Sequence, residues 1–578
     1  MSPKAAAAAL VARAVLDGFD KHHRLFRAIS AAAKGRFERG DWAACSEASR
    51  ARIDMYDERV REAVAAIGET FPDAPAEETW PAIKHAYRVL LYDHQQPELA
   101  ETFFNSVACR LLHRRYYNNQ FIFWRPAVST EHIESSQRTW KSYYPPSEGL
   151  RPALLRMLAD LSLAAPWEDL EADLEQLARA FTAVLPEGAG HLGLQLQVLS
   201  SLFCRNQTAI VVGRVLDGTT QVPFAVPLRR TARGTLYLDT LLTRPDDLHT
   251  LFSLARAYFM VDMEVPSAFV SFLAALLPHK PKAELYTTLG LQKQGKTLFY
   301  RDLFEHLKHS TDRFAIAPGV KGMVMVVFTL PSFPYVFKII RDVFAPPKDS
   351  DRKKVMAQYQ MVKHSDRVGR MADTLEYSDV AFPLARLDPT LLEELQLKAS
   401  SLLEHRGDEL VIKHLYIERR MIPLDVYLRS ADEPRTRAAL AEYGNALRQL
   451  AEGHIFPGDL LLKNFGVTRF GRVLFYDYDE ISPIEECRFR DLPQSSGDDE
   501  DTAGEPWFYV GPKDVFPEEF PRFLFAEERQ RKIFFEEHPD LCTARFWREQ
   551  QERARAGTQE EEASPAYPPA RRFAGRPR

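Results

Sequence analysis

Cysteine is scarce in this chain: five occur in 578 residues, at 45, 109, 204, 487 and 542, with no C-x-x-C pair among them. That spacing suggests neither a disulfide framework nor a cysteine-ligated zinc site, and it points to a reducing, cytoplasmic setting. Long apolar runs are missing too. The Ala-rich start, residues 2–19, is interrupted by Arg13 and Asp17, so it reads as an amphipathic helix rather than a membrane span or secretion signal. No sign of charge dominates: 75 basic residues face 80 acidic ones, for a net charge of −5. Nucleic acid and anionic membranes are therefore not expected as main partners.

What the chain does have is bulk and pattern. Its length exceeds what one core can serve, so two or more domains are expected. Up to about residue 190, apolar side chains recur every three or four positions. Ile53, Tyr56, Val60, Val64 and Ile67 form one stripe, and Trp167, Leu170, Leu174, Leu177, Phe181 and Leu185 another, both predicting helices with a buried face. Trp80 to Leu91 and Phe103 to Leu112 read as further helices. Between 208 and 240 the period changes: β-branched runs flank Asp217-Gly218, a hairpin dipeptide, and a third strand is expected after Gly234. Helical patterning returns over 251–261 and 268–277. From about residue 311 strand–turn–strand character takes over. The fold class is α+β: a mainly helical body over 1–310 with a small inserted sheet, then a second body over 311–552.

The second body carries the chemistry. In HIFPGDLLLKNFGVTRFGRVLFYDYDE, Asp459 precedes Asn464 by five residues, and an apolar run leads to Asp477. Phosphoryl transfer needs one carboxylate facing the attacking hydroxyl and an amide with another carboxylate holding a metal against the triphosphate. Asp459 suits the first task; Asn464 and Asp477 suit the second. Upstream, Gly319-x-x-Gly322 opens a β-hairpin whose second strand carries Lys338. Such a loop can cover phosphates with backbone N–H groups because no Cβ keeps them away, and a strand lysine can reach the α- and β-phosphates. The helix expected over 351–370 holds no Glu to pair with that lysine, and only Asp366 offers a carboxylate near its end. Glu418 to Met421 reads as the linker between two lobes. Residues near 490–510 form an acidic loop suited to substrate recognition or to simple solvation. After 553 the charged, Pro/Ala-rich tail reads as disordered.

Five segments together go beyond a generic kinase: FFNSVACRL, APGVKGMVMVVFTLP, DRVGRMADT, YIERRM followed by PL, and the Asp459–Asp477 stretch with the later EPW and DVFPEEF. They resemble the bacterial isocitrate dehydrogenase kinase/phosphatases, over nearly the whole chain to about residue 550. The resemblance implies a bilobal kinase-like domain preceded by a regulatory domain. It implies a bifunctional enzyme that uses ATP and Mg²⁺, or Mn²⁺, to phosphorylate a serine of NADP-dependent isocitrate dehydrogenase, and that removes the same phosphate. That reaction divides flux between the tricarboxylic acid cycle and the glyoxylate bypass, with AMP and central metabolites as effectors. It further implies that Ala317, Pro318, Gly319, Val320, Lys321, Gly322 and Met323 form the nucleotide segment with Lys338, and that Asp373 is an active-site acid of the phosphatase reaction. By spacing alone, Asp373 three residues after Arg370 reads as half of a surface ion pair on a helix.

Two departures from ordinary protein kinases stand out. Pro457-Gly458-Asp459 replaces His-Arg-Asp, removing the arginine that receives an activation-loop phosphate, and Asp477-Tyr478-Asp479 replaces Asp-Phe-Gly, adding an acid beside the metal ligand. Two other readings compete: a kinase-fold phosphotransferase for a small molecule, and a catalytically dead nucleotide-binding scaffold. The first has no need of so large a helical domain, and the second no need of Lys338, Asp459, Asn464 and Asp477 together.

Overall fold

A computed structural model describes the chain except residues 1–2, 72–76, 113–119, 132, 186–192, 254–256, 320, 345–349, 366–368, 494–507, 557–566, 568–570 and 576–578. The N-terminal half opens with four helices, α1 (Pro3–Arg39), α2 (Trp42–Thr70), α3 (Trp80–Leu90) and α4 (Pro97–Leu111). Asp41 starts α2 by accepting the Ala44 N–H at 3.1 Å. The expected stripe then packs inward, with Ile53, Tyr56, Val60 and Ile67 buried. Phe103 and Phe104 of α4 lie among the rings of Phe19, Tyr56, Trp80, Tyr87 and Phe123, so these aromatics fill a core.

The inserted sheet has six antiparallel strands: β1 (Trp140–Tyr143), β2 (Gln195–Leu199), β3 (Phe203–Arg205), β4 (Thr208–Asp217), β5 (Thr220–Arg230) and β6 (Leu236–Leu238). Their order is β1-β2-β4-β5-β6, with β3 also on β4. The β4–β5 hairpin turns where Asp217-Gly218 predicts it, with Gly218 at φ 57°. One helical expectation fails. The helix Pro245–Leu251 ends at the start of the 251–261 pattern, and Ala257 to Met260 run as irregular chain. There the backbone bonds outward, Phe259 N–H to Thr288 O and Met260 N–H to Cys204 O, both at 2.8 Å. Those tertiary bonds outweigh the local periodicity.

The C-terminal half begins with a second antiparallel sheet: β7 (Ala315–Ile316), β8 (Met325–Thr329), β9 (Tyr335–Ile340), β10 (Thr374–Pro383), β11 (Leu403–Arg406) and β12 (Glu409–Arg419), in the order β10-β12-β9-β8-β7 with β11 on β12. A helical body follows around the helix Glu433–Glu452. It carries a small sheet of β13 (Ile422–Pro423), β14 (Phe465–Val467) and β15 (Val473–Phe475), in which β14 lies between the other two. Because β12 extends through Arg419, the linker between the lobes is shorter than expected and Glu418 belongs to the sheet. Most of the acidic loop, residues 494–507, lies outside the described residues. Part of the stretch expected as a disordered tail is packed. The helix Ala544–Ala556 reaches into it, and Tyr567 and Arg572 close on the fully buried Asp239, with Arg572 Nε 2.8 Å from Oδ1. Among the described residues no helix is long and apolar enough to cross a membrane.

The two halves meet through buried charge. Glu284, in the N-terminal half, accepts from Lys280 at 3.1 Å and from Tyr335 of β9 at 2.8 Å, and it pairs with Arg419 of β12. Burial pushes its carboxyl up, but Lys280 and Arg419 outweigh that and hold it at about 2. A second link lies on the helix Gln292–His309: Lys296 donates to the Glu376 carbonyl, and Tyr377 returns a bond to the Lys296 carbonyl at 2.8 Å. Glu284→Gln keeps the volume and leaves two cations facing each other, so we expect about 3 kcal/mol of stability to be lost, read as a lower denaturant midpoint at pH 7. A carboxyl held below its ordinary value contributes fully above about pH 4.5 and fades as pH falls through about 2. The gap between variant and parent should therefore be level from pH 7 to 5 and narrow only in that acid window. A variant as stable as the parent at pH 7 would show that this charge does not hold the halves together.

Candidate active site

Lys338 sits on β9 directly opposite Tyr416 of β12. Glu418, two residues further along β12, shares that face of the sheet, at the diagonal distance that long side chains span. Its Oε2 lies 2.6 Å from Lys338 Nζ, and both residues are buried, 2% and 7% exposed. On its other flank Glu418 lies opposite Thr374 of β10, whose hydroxyl donates to Glu418 Oε1 at 3.0 Å. Both carboxylate oxygens are thus engaged, one by an ammonium and one by a hydroxyl, and this offsets the desolvation of the charge. The partner of the strand lysine is therefore a strand glutamate. Asp366 lies outside the described residues.

The helix Arg352–Ser365 occupies the place where a protein kinase carries the pairing glutamate. Here it contributes Tyr359, stacked on Tyr416 with centroids 4.1 Å apart and edge-on to Tyr478 at 5.1 Å. Ring packing stands where another kinase would hold charge.

Lys338 also reaches the lower lobe. Its Nζ donates to the Tyr476 carbonyl at 3.0 Å, one residue before Asp477. Tyr476 N–H in turn donates to the Asn464 carbonyl at 3.1 Å, because Phe465 and Phe475 pair across β14 and β15. Asn464 is 3% exposed, and its Nδ2 contacts the Asp459 carbonyl at 3.3 Å. Asp459 is half-buried, with Oδ1 accepting the Leu461 N–H at 2.9 Å, which fixes its rotamer. Lys338, Asp459, Asn464 and Asp477 are in this way gathered by a chain of short contacts. Asp479 is half-buried on the turn just beyond.

Gly458 explains part of the departure from His-Arg-Asp. It adopts φ 80°, and a Cβ there would lie 2.2 Å from the Glu480 carbonyl oxygen. The turn before Asp459 packs against the chain following Asp477 so closely that only glycine fits.

Asp373 joins this cluster by a route the spacing conceals. Residues 370–373 are not helical; they run beside β15, with Ala372 N–H on the Phe475 carbonyl and Phe475 N–H on the Arg370 carbonyl, each at 2.9 Å. The bridge pairs Met371 with Phe475 in parallel, so Asp373 and Asp477 each follow two residues after it, at the same end. Arg370 turns away, to Glu442 at 2.5 Å and Gln449 at 2.7 Å, so no surface ion pair with Asp373 forms. Asp373 is 2% exposed, and its Oδ1 accepts from the Tyr258 hydroxyl at 3.0 Å. Tyr258 comes from the N-terminal half, 115 residues away in sequence, and nothing local marks it.

The segment expected to meet the nucleotide, residues 317–323, lies at the open edge of the sheet that carries Lys338. Ala317 N–H bonds the Val327 carbonyl at 3.0 Å, Gly319 has φ 122°, and Pro318, Lys321, Gly322 and Met323 are exposed. Lys321 pairs with Glu394 at 2.5 Å; Val320 lies outside the described residues. For a metal, the chain offers hard oxygen donors, the Asn464 amide and the Asp477 carboxylate. Among the described residues no group of three His, Cys, Asp or Glu side chains forms a dedicated cage. A two-ligand oxygen site fits Mg²⁺, which keeps waters and phosphate oxygens in its remaining positions.

Comparison with known proteins covers nearly the whole chain. Residues 12–311 match the regulatory domain, and residues 312–568 the kinase domain, of isocitrate dehydrogenase kinase/phosphatase (AceK). The isocitrate dehydrogenase kinase/phosphatases of Burkholderia mallei (strain SAVP1), Burkholderia pseudomallei (strain K96243) and Burkholderia thailandensis are each 51% identical over 568 residues, covering 97% of this chain and 94% of theirs. A kinase/phosphatase family implies use of ATP and a metal. The chain belongs to the isocitrate dehydrogenase kinase/phosphatase family.

Proposed function

We propose that the protein is a bifunctional enzyme that phosphorylates a serine of NADP-dependent isocitrate dehydrogenase with ATP and removes that phosphate, setting flux between the tricarboxylic acid cycle and the glyoxylate bypass in the cytoplasm. The observation that carries the reading is the buried Lys338, held by Glu418 and donating to the carbonyl beside Asp477. An ammonium fixed between the upper sheet and the metal-ligand segment can neutralise α- and β-phosphates without losing its register. Residues 317–323 cover the phosphates, and Asp459 accepts the proton of the attacking serine hydroxyl. Asn464 and Asp477 hold Mg²⁺, or Mn²⁺, which when bound neutralises triphosphate charge. Asp373 serves the phosphatase reaction. AMP and central metabolites are its effectors, acting on the regulatory body over 1–310, while the catalytic body spans 311–552.

Asp479, half-buried on the turn after Tyr478, adds a second acid beside the metal ligand and suits the positioning of water for dephosphorylation. Asp459→Ala should lower kinase turnover by roughly 10²–10⁴-fold with binding of ATP retained, as checked by label transfer to isocitrate dehydrogenase and by nucleotide titration. Full kinase turnover in this variant would contradict the assignment. Asp479→Asn should lower the ratio of phosphatase to kinase activity; an unchanged ratio drops that role. Glu418→Gln removes the charge that holds Lys338, and a charge-assisted bond of roughly 1.5–3 kcal/mol predicts a loss of about 10–100-fold in kcat/KM for ATP. Parental ATP kinetics in the Glu418→Gln variant would show that Lys338 is held by other means.

A further inference from the structure

The contact between Tyr258 and Asp373 is a side-chain hydrogen bond from the regulatory half to an acid of the catalytic half, at 3.0 Å. Both ends are fixed by their own bodies. On the regulatory side, Phe259 and Met260 are bonded through their backbones to Thr288 and Cys204. Phe259 is buried edge-on against Phe203 and under Arg205, whose guanidinium lies 4.3 Å from its ring centre. On the catalytic side, Ala372 is held by the Phe475 carbonyl and by Tyr478, whose hydroxyl donates to the Ala372 carbonyl at 2.6 Å. The phenol and the carboxylate therefore meet from backbones that are each hydrogen-bonded into their own half.

We infer that Tyr258 is a positioning residue for the dephosphorylation reaction: the regulatory half delivers its hydroxyl to orient the Asp373 carboxylate. The inference rests on the reading of Asp373 as the phosphatase acid and names the group through which the regulatory half acts on it. A carboxylate that works on water or on a phosphoryl group needs one oxygen held and the other directed, and a donor in the surrounding shell does this. The same geometry separates the two activities. Asp373 and Thr374 are consecutive, yet Asp373 takes its bond from Tyr258, whereas Thr374 gives its own to Glu418 and is registered opposite it in the β10–β12 ladder. Loss of the Tyr258 hydroxyl removes a constraint from Asp373 while the strand pairing still holds Thr374, Glu418 and Lys338 in place.

Tyr258→Phe deletes one oxygen and keeps the ring. In the full-length protein, phosphatase kcat on phosphorylated isocitrate dehydrogenase should fall about tenfold, with KM for that substrate within about twofold. Kinase turnover on the unmodified dehydrogenase, and the melting temperature, should stay close to parental values. Unchanged phosphatase turnover overturns the inference, since Tyr258 then only packs; so does a parallel fall in both activities with a lower melting temperature, which marks a structural role. Asp373→Asn is measured alongside. If it abolishes dephosphorylation while Tyr258→Phe has no effect, only the positioning role fails. If Asp373→Asn dephosphorylates normally, the reading of Asp373 and the inference fall together.

Discussion

A lysine ammonium closed off between two lobes has to be matched by negative charge, and the position of that charge dictates much of the catalytic half. Glu418 supplies it from the neighbouring strand, 2.6 Å away. Because the partner is a strand residue, the register of β9 on β12 sets the pair, and no helix movement is needed to form it. Protein kinases that take this carboxylate from a mobile helix can be switched by moving the helix. Here the equivalent position is filled by Tyr359 against Tyr416 and Tyr478, and the arginine that would read an activation-loop phosphate is replaced by Gly458. Both departures remove common switches of the kinase fold, which leaves control to the N-terminal half.

That half is placed to exercise it. Glu284 ties it to β9 and β12, the two strands that carry Lys338 and Glu418, and Lys296 ties it to β10, which begins at Thr374. Three adjacent strands of the upper sheet are thus each held from outside the catalytic domain, while Tyr258 reaches past them to Asp373. Desolvation brings the Lys296 ammonium down to about 7. The lower lobe completes the arrangement: β14 and β15 bring Asn464 and Tyr476 together, and the parallel run of 370–373 beside β15, held also by the Tyr478 hydroxyl on the Ala372 carbonyl, brings in Asp373.

Much of this is legible in the residues alone. The D-x-x-x-x-N spacing, the strand lysine and the hairpin at Asp217-Gly218 depend on chemistry within a few residues, and they stand where periodicity and spacing put them. What escapes depends on register or on distant contacts. Glu418 is in plain sight in the sequence, but its pairing with Lys338 follows only once Tyr416 is known to lie opposite that lysine. Asp373 after Arg370 suggests a helical ion pair, and the alternative becomes visible only through the hydrogen bonds to Phe475. The 251–261 stretch has helical periodicity, yet bonds to Cys204 and Thr288 pull it out and carry Tyr258 to the site. A packed Asp239–Arg572 pair likewise cannot be read from a tail whose composition suggests disorder.

One strand glutamate fixes Lys338 beside the segment bearing Asp477, which is where the proposed reaction needs it to meet the nucleotide. A crystal structure of the protein with a non-hydrolysable ATP analogue and Mg²⁺ tests this most directly. Lys338 should still be paired with Glu418 and should contact the α- and β-phosphates, with Asn464 and Asp477 both on the metal. Nucleotide bound elsewhere, or Lys338 turned away from the phosphates with Glu418 unpaired, would contradict it.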